Sequence, residues 1–361
     1  MGSMHRLAGF WAALTMTTVA LADPIIIAHR GASGSRPEHT LAAYKLAIEQ
    51  GADFIEPDLV MTKDDVLVIR HENNITDTTN VADHVEFADR RTSKTIDGHA
   101  VVGWFTEDFT LAELKTLRAR ERLPQIRPAN MGWVDEEIAT FDEALALVRA
   151  TKRRVGIYPE TKHPSYFAAI GKPMERALIN ALARAGYTKA DDPVFIQSFE
   201  VSNLKALRGM TKLRLVQLIE GETPPYDQVE AGTGMTVAEM VTPKGLKAIA
   251  GYADAIGPYK LLIEPRDAAG QALPPTSLVH DAHAAGLLVH PWTFRSENIF
   301  LPAGDRVGED QGAKGDAAAE YRRFLGYGVD GLFSDFPAEA VAARAAADDE
   351  GPSMIGRAGF R

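Results

Sequence analysis

The sequence predicts an α/β fold: a (β/α)8 TIM-type barrel carrying a small inserted subdomain. Three observations lead there. From Asp23 onward, short apolar β-branched runs alternate with helical patterns. That alternation marks a parallel sheet covered by helices on both faces. About eight such units fit, the number that closes a barrel rather than an open sheet. The length of 361 residues suits one large barrel or two smaller domains.

The elements follow in order. Ile25 to Ala28 reads as a buried strand, and Thr40 is placed to cap a helix from Leu41 to about Gln50. Asp53 to Leu59 is the next strand and Val66 to Arg70 another. Phe141 to Ala150 is helical, then Val155 to Pro159 extended. Met174 to Ala185 precedes a strand at Val194 to Gln197, and Asn203 to Gly209 precedes Leu213 to Ile219. Leu278 to Ala285 precedes Leu287 to Pro291, and Ala317 to Gly326 precedes Gly331 to Ser334. Two places strain the count. Leu59 to Val66 is too short for a crossover helix, although an extended return of that length is possible. Ala253 to Ile256 adds a ninth candidate, so one candidate strand is not a stave of the barrel.

Polar sequence from Asn73 to about Glu137 interrupts the alternation, with glycine-containing turns and one helical stretch, Leu111 to Ala119. A segment this long reads as an inserted subdomain, residues 73–137, and its position after His71 places it over the barrel mouth. Residues 23–340 are the expected barrel and 341–361 a frayed tail of small and charged residues. Residues 1–22 read as a secretory signal: His5-Arg6, a short apolar core, then Ala20-Leu21-Ala22 before Asp23. The expectation is export to the periplasm or beyond. The apolar run is too short and Thr-rich for a good span, so no stable membrane anchor is expected.

Composition narrows the chemistry. Thirty-nine Lys+Arg stand against 49 Asp+Glu, a net charge of -10, which argues against backbone-driven nucleic-acid binding. There is no cysteine, which excludes disulfides, thiolate zinc, iron–sulfur clusters and a cysteine nucleophile. A metal site must therefore use Asp, Glu, His or backbone oxygens.

Four clusters fall at strand ends: Ala28-His29-Arg30-Gly31-Ala32, Glu56-Pro57-Asp58, Arg70-His71-Glu72 and Tyr158-Pro159-Glu160-Thr161-Lys162. The C-terminal ends of barrel strands converge on one mouth. A lone strand-end histidine is more often structural, and a lone glutamate is more often a surface charge. Together they supply two imidazoles, three carboxylates, an arginine and a lysine. Glu56 and Asp58, two apart in a strand, point to the same side and repel unless a proton or metal lies between them. With Glu160 they form a hard oxygen set suited to Ca2+ or Mg2+. The competing expectation is that they pair with Arg30 and Lys162 and bind no metal. His29 and His71 suit paired proton transfer, and Arg30 and Lys162 suit a phosphate group.

On these residues the sequence resembles the glycerophosphodiester phosphodiesterase family, in particular its periplasmic bacterial branch. The matching segments are His29-Arg30-Gly31, Pro37-Glu38-His39-Thr40, Glu56-Pro57-Asp58, Thr62-Lys63-Asp64, Arg70-His71, Glu160-Thr161-Lys162, Gln197-Ser198-Phe199, His290 to Arg295 and Ser334-Asp335-Phe336-Pro337. The resemblance implies a phosphodiesterase-type barrel with Glu56, Asp58 and Glu160 on a divalent ion, Ca2+ or Mg2+. It implies His29 and His71 as the acid–base pair and Arg30 and Lys162 on phosphate. Trp292 is similar to an aromatic that packs near the glycerol moiety, and Gln197 and Phe199 match a motif near the site. Family members often carry Asp where this chain has Glu72, which leaves a role for that side chain open. Glu38 is placed either to orient the first loop by hydrogen bonds or as a neighbour of the cap.

The expected partner is a small phosphodiester such as glycerophosphocholine. The nucleophile is water or the substrate's own 2-hydroxyl. The oligomeric state stays open, a homodimer included. Two alternatives remain: a related barrel phospholipase acting on lysophospholipid, and an exported binding or adhesion protein without turnover.

Overall fold

The computed structural model describes residues 23–349. The expected export signal, residues 1–22, lies outside them, as does the end of the expected tail. The described strands are β1 (Ile25–His29), β2 (Phe54–Glu56), β3 (Asp58–Met61), β4 (Leu67–Ile69), β5 (Thr92–Ile96), β6 (His99–Gly103), β7 (Gly156–Ile157), β8 (Glu160–Thr161), β9 (Phe195–Ser198), β10 (Arg214–Ile219), β11 (Ala255–Pro258), β12 (Leu288–Val289) and β13 (Gly331–Ser334). They form a sheet ordered β13-β1-β2-β7, a second ordered β12-β11-β10-β9-β8-β3-β4, and the hairpin β5-β6.

Two prolines explain why one barrel appears as two sheets. Pro57 separates β2 from β3 and Tyr158-Pro159 separates β7 from β8, because proline has no N–H for the ladder. Their carbonyls still accept: Glu160 N donates to Pro57 O at 3.0 Å and Gln197 N to Pro159 O at 2.9 Å. Each broken pair is therefore one stave. The seam between β12 and β13 closes through Asp330 N to Val289 O (2.9 Å), Phe333 N to Pro291 O (3.1 Å) and Phe294 N to Phe333 O (2.8 Å). The staves are β1, β2/β3, β7/β8, β9, β10, β11, β12 and β13, a closed parallel (β/α)8 barrel.

The surplus candidate is Val66 to Arg70. As β4 it runs antiparallel to β3, with Met61 opposite Leu67 and Leu59 opposite Ile69. The link is a tight turn: Thr62 Oγ1 donates to Asp64 Oδ1 at 2.7 Å and accepts from Val66 N at 2.9 Å. Ala253 to Ile256, the ninth candidate, supplies a true stave as β11, paired in parallel with β10 and β12.

The barrel interior is filled by Ile27, Phe54, Tyr158, Phe195, Val216, Ala255 and Phe333. The Tyr158 and Phe195 rings stack at 5.1 Å. A Cβ at Gly156 would sit 2.1 Å from the Phe54 ring, so only glycine fits opposite it. This plug places the open chemistry at the C-terminal strand ends. A larger apolar layer lies between strands and helices, including Tyr44, Phe141, Leu178, Leu204 and Phe324.

Thr40 caps the helix Leu41–Glu49 by accepting from Ala43 N. Two expectations need correction. The stretch Leu111 to Ala119 is helical only over Leu111–Leu114, held by a Thr110/Glu113 capping box. The expected tail from 341 begins as helix: Pro337–Asp349 is continuous, with Ala340 and Ala343 buried. Its small residues hide the amphipathic pattern, yet alanine is the strongest helix former. Among the described residues no helix is long and apolar enough to cross a membrane.

Candidate active site

Strand register assembles the site. His29 on β1 lies opposite Glu56 on β2, Asp58 on β3 opposite Glu160 on β8, and Glu160 opposite Gln197 on β9. The Pro57 break keeps Glu56 and Asp58 on the same side. Oxygens of Glu56, Asp58 and Glu160 all lie within 4.8 Å of one another, and all three residues are buried.

Each carboxylate has a different set of neighbours. Glu56 accepts from Arg30 N at 2.7 Å and Gln197 Nε2 at 2.9 Å. Burial, then repulsion from Asp58, pushes its pKa well above the usual carboxylate range. Asp58 lies 2.9 Å from His39 Nε2 and 3.5 Å from Arg30 Nε. Burial works against its charge, but His39 and Arg30 outweigh it and hold the pKa well below the usual range. Glu160 meets Lys162 Nζ at 3.0 Å. Burial pushes it up to about 8, with Asp58 adding to the repulsion. Asp58 Oδ1 is buried and has no hydrogen-bond partner. Hard oxygen donors gathered this closely, with one oxygen unpaired, fit a hard divalent cation.

The two histidines are oriented alike. His29 Nδ1 lies 2.6 Å from Asp335 Oδ1, and His71 Nδ1 lies 2.7 Å from Glu72 Oε1. An N–H donated at Nδ1 leaves the Nε2 lone pair for substrate, and at His71 that lone pair faces the Lys162 ammonium. Burial, then the Arg30 charge, lowers the His29 pKa to about 4. Burial with Arg30 and Lys162 lowers His71 to about 3. Both rings are neutral at physiological pH. Glu72, whose role the sequence left open, is the partner that orients His71.

The cations are engaged by carboxylates. Arg30 Nη1 donates to Glu38 Oε2 at 3.1 Å, so Glu38 does orient the first loop, and Arg30 stands at φ 60° beside Gly31 at φ 87°. A Cβ on Gly31 would lie 2.7 Å from the backbone of Ala43, so glycine is required for this close approach. Lys162 Nζ is 3.4 Å from His71 Nε2 and 5.7 Å from the Phe199 ring centre. Phe199 and Trp292 meet edge to face at 5.8 Å, and Trp292 Nε1 donates to Gly257 O at 2.7 Å. Every expected site residue therefore joins one connected group. The competing expectation that Glu56 and Asp58 pair with Arg30 and Lys162 holds only for Asp58 with Arg30; Lys162 pairs with Glu160 instead, and Asp58 Oδ1 stays unpaired.

Sequence reasoning missed several members. Asp335 lay within a matched segment without a role, and so did His39. His39 bridges Asp58 and the Tyr44 hydroxyl, 2.8 Å from its Nδ1. Arg127 had no signal at all. From the 73–137 segment it reaches Asp335 Oδ2 at 2.6 Å, Glu297 Oε1 at 2.7 Å and Ser33 O at 3.0 Å. Arg122, from the same segment, bonds Glu38 at 2.9 Å.

Residues 29–339 match the family model of the glycerophosphoryl diester phosphodiesterase family. The chain is similar to glycerophosphodiester phosphodiesterase GDPD6 of Arabidopsis thaliana, 40% identical over 326 residues, covering 87% of this chain and 84% of the relative. It is also similar to a glycerophosphodiester phosphodiesterase of Haemophilus influenzae, 31% identical over 347 residues, 88% of this chain and 89% of the relative. In fold it resembles a putative glycerophosphoryl diester phosphodiesterase from Silicibacter pomeroyi, with a TM-score of 0.63, 21% identity and coverage of 90% and 94%. It likewise resembles an Oleispira antarctica phosphodiesterase in complex with the product sn-glycerol-3-phosphate, with a TM-score of 0.59, 19% identity and coverage of 89% and 96%. The barrel, the convergent strand-end residues and these matches place the chain in the glycerophosphoryl diester phosphodiesterase family.

Proposed function

We propose that this enzyme hydrolyses glycerophosphodiesters, such as glycerophosphocholine and glycerophosphoethanolamine, to sn-glycerol 3-phosphate and the free alcohol. We further propose that it depends on Ca2+ or Mg2+ held by Glu56, Asp58 and Glu160. One observation carries this reading: three buried carboxylates within 4.8 Å stand beside two carboxylate-oriented histidines. Binding alone does not require a paired acid and base, which weighs against a non-catalytic protein.

When bound, the cation supplies positive charge to the phosphate oxygens. Arg30 and Lys162 add to it and draw the anionic diester into an otherwise acidic mouth. One histidine Nε2 takes the proton of the attacking hydroxyl, from water or the substrate's 2-hydroxyl. The other protonates the leaving alkoxide as the P–O bond breaks; attack by the 2-hydroxyl gives a cyclic glycerophosphate, which water then opens to sn-glycerol 3-phosphate. An anionic diester beside Arg30 and Lys162 offsets the charges that depress both imidazoles, which raises the pKa of the donor toward working pH. Trp292 and Phe199 offer an apolar edge to the organic part of the substrate.

A second reading has its own support. Met131, Trp133 and Val134 of the 73–137 segment are exposed, and Arg36 of the first mouth loop lies over the Trp133 ring at 3.7 Å. An apolar edge of this kind suits a single acyl chain, so lysophosphatidylcholine is the competing substrate. Export to the periplasm is proposed on the sequence of residues 1–22 alone.

The test is release of sn-glycerol 3-phosphate from glycerophosphocholine by metal-stripped protein on titration with Ca2+ or Mg2+, beside Glu56→Ala and a lysophosphatidylcholine arm. The expected result is cation-dependent release that Glu56→Ala abolishes. Full turnover in chelator would remove the metal, and turnover of the lysolipid alone would favour the second reading.

A further inference from the structure

His71 stands at the end of a chain of close polar contacts that begins in the β5–β6 hairpin. Its Nδ1 lies 2.7 Å from Glu72 Oε1. The other oxygen of that carboxylate lies 2.8 Å from His163 Nε2, and His163 Nδ1 lies 2.6 Å from Asp97 Oδ2. Three separate segments meet here. Glu72 follows the β4 return, His163 follows the stave that carries Glu160 and Lys162, and Asp97 occupies the hairpin turn.

Glu72 is the loosest member. Its side chain is 46% exposed, against 13% for His163. Held by His71 alone, a long carboxylate in solvent would fix one oxygen and swing the other. His163 grips that second oxygen. Both His163 nitrogens face carboxylate oxygens, so the imidazolium is the form that donates to both. Burial opposes that charge, but the bonds to Asp97 and Glu72 outweigh it and push the pKa up to about 9.

The backbone supports the same conclusion. Asp97 sits at φ 47° and is followed by Gly98 at φ 80°, the pattern of a two-residue hairpin turn. His163 is left-handed at φ 49°, ψ 45° although it precedes Pro164. A residue before proline is pressed toward extended backbone, and a non-glycine residue seldom adopts positive φ. The conformation persists where its ring bridges two carboxylates, which is how strain is retained at functional sites.

We propose that His163 and Asp97 are positioning residues for His71, acting through Glu72, so that the tip of the β5–β6 hairpin completes the active site. This rests on His71 acting in acid–base catalysis. The experiment measures kcat and KM for sn-glycerol 3-phosphate release by wild type, His71→Ala, His163→Ala, Asp97→Asn, Glu72→Ala and the Glu72→Ala/His163→Ala double variant. Nitrogen-15 shifts of the His71 ring report its tautomer, and the melting midpoint confirms that each variant folds.

His163→Ala should lower kcat about tenfold with KM nearly unchanged, as loss of an outer hydrogen-bond partner does. Asp97→Asn should lower kcat by less, in the same direction. In the Glu72→Ala background His163→Ala should cost nothing further, and the His71 ring should lose its single Nδ1–H tautomer in His163→Ala. Unchanged kcat in a folded His163→Ala protein would overturn the proposal, as would an undiminished loss in the Glu72→Ala background. If wild type releases no product, the phosphodiesterase reading fails, and the tautomer spectrum alone then decides whether His163 positions His71.

Discussion

Asp335 shows how much of the site depends on one partner. Its Oδ1 fixes the His29 ring, while Oδ2 is held by Arg127 at 2.6 Å and Arg295 at 2.9 Å. Asp335→Asn keeps the shape but offers an amide, which permits the wrong tautomer. We expect kcat to fall on the order of a thousandfold or more with KM little changed, by analogy with a serine-protease triad. The imidazoles also set a pH dependence of stability. His29, His71 and His290 have folded pKa values of about 4, 3 and 4, each lowered first by burial. The unfolded chain, with ordinary histidines, takes up protons first as the pH falls below about 6.5. Their contribution is thus complete above about 6.5 and is lost as the pH falls through the folded values. Over pH 7 to pH 4 the histidine contribution to the urea midpoint should decrease, opposed by the gain from protonating Glu56 and Glu160. A His290→Phe variant should therefore show a smaller fall, or a larger rise, than wild type over that window. His29, His71 and the carboxylates were legible in the sequence because each sits in a short motif at a strand end. Asp335 and His39 sat in matched segments, but their partners lie far along the chain. No local pattern shows that His29 meets a residue near the other terminus.

At the scale of elements, the loop after β1 carries a constraint that packing alone does not show. Gly31 pairs a φ of 87° with a backbone approach that leaves no room for a methyl group. Gly31→Ala should destabilise the fold by ~2 kcal/mol or more, read from denaturant midpoints, and should displace Arg30. The 73–137 segment is tied down in a similar way. Arg127 is 5% exposed and neutralises Asp335 and Glu297, both buried. Removing it leaves the buried Glu297 without a cation and Asp335 with only Arg295 and His29, so Arg127→Ala should cost about 3–5 kcal/mol and lower kcat through His29. Alternation of strand and helix was readable across most of the chain because buried parallel strands are continuous apolar runs. It did not decide which of the nine candidates was surplus, because an antiparallel return such as Val66 to Arg70 is equally apolar, with Leu67, Val68 and Ile69 all buried. The short turn through Thr62 and Asp64 was the available signal. The helix Pro337–Asp349 was missed for the opposite reason, since alanine gives no contrast between faces.

For the whole molecule, an acidic chain without cysteine proves to be a filled barrel with part of its negative charge concentrated at one mouth. Without a cation, burial and repulsion from Asp58 make Glu56 and Glu160 easier to protonate than ordinary carboxylates. A group whose folded pKa is raised contributes stability present below its unfolded value, and that stability is lost as the pH rises through the folded value. For Glu160 that value is about 8. A divalent ion replaces those protons, so the rise in melting temperature on adding Ca2+ or Mg2+ should be larger at pH 8.5 than at pH 6 (roughly, on either side of that titration). The barrel class was legible from the number and spacing of its units. The bonds by which the 73–137 segment reaches Asp335, Glu38 and His163 were not, because they join residues with no sequence proximity. The most direct measurement is release of sn-glycerol 3-phosphate from glycerophosphocholine by wild type and by folded His29→Ala and His71→Ala proteins in the presence of divalent cation. Hydrolysis by a histidine pair at this mouth requires product from wild type and a loss of at least about a hundredfold in each variant. Wild-type turnover that survives both substitutions would contradict it.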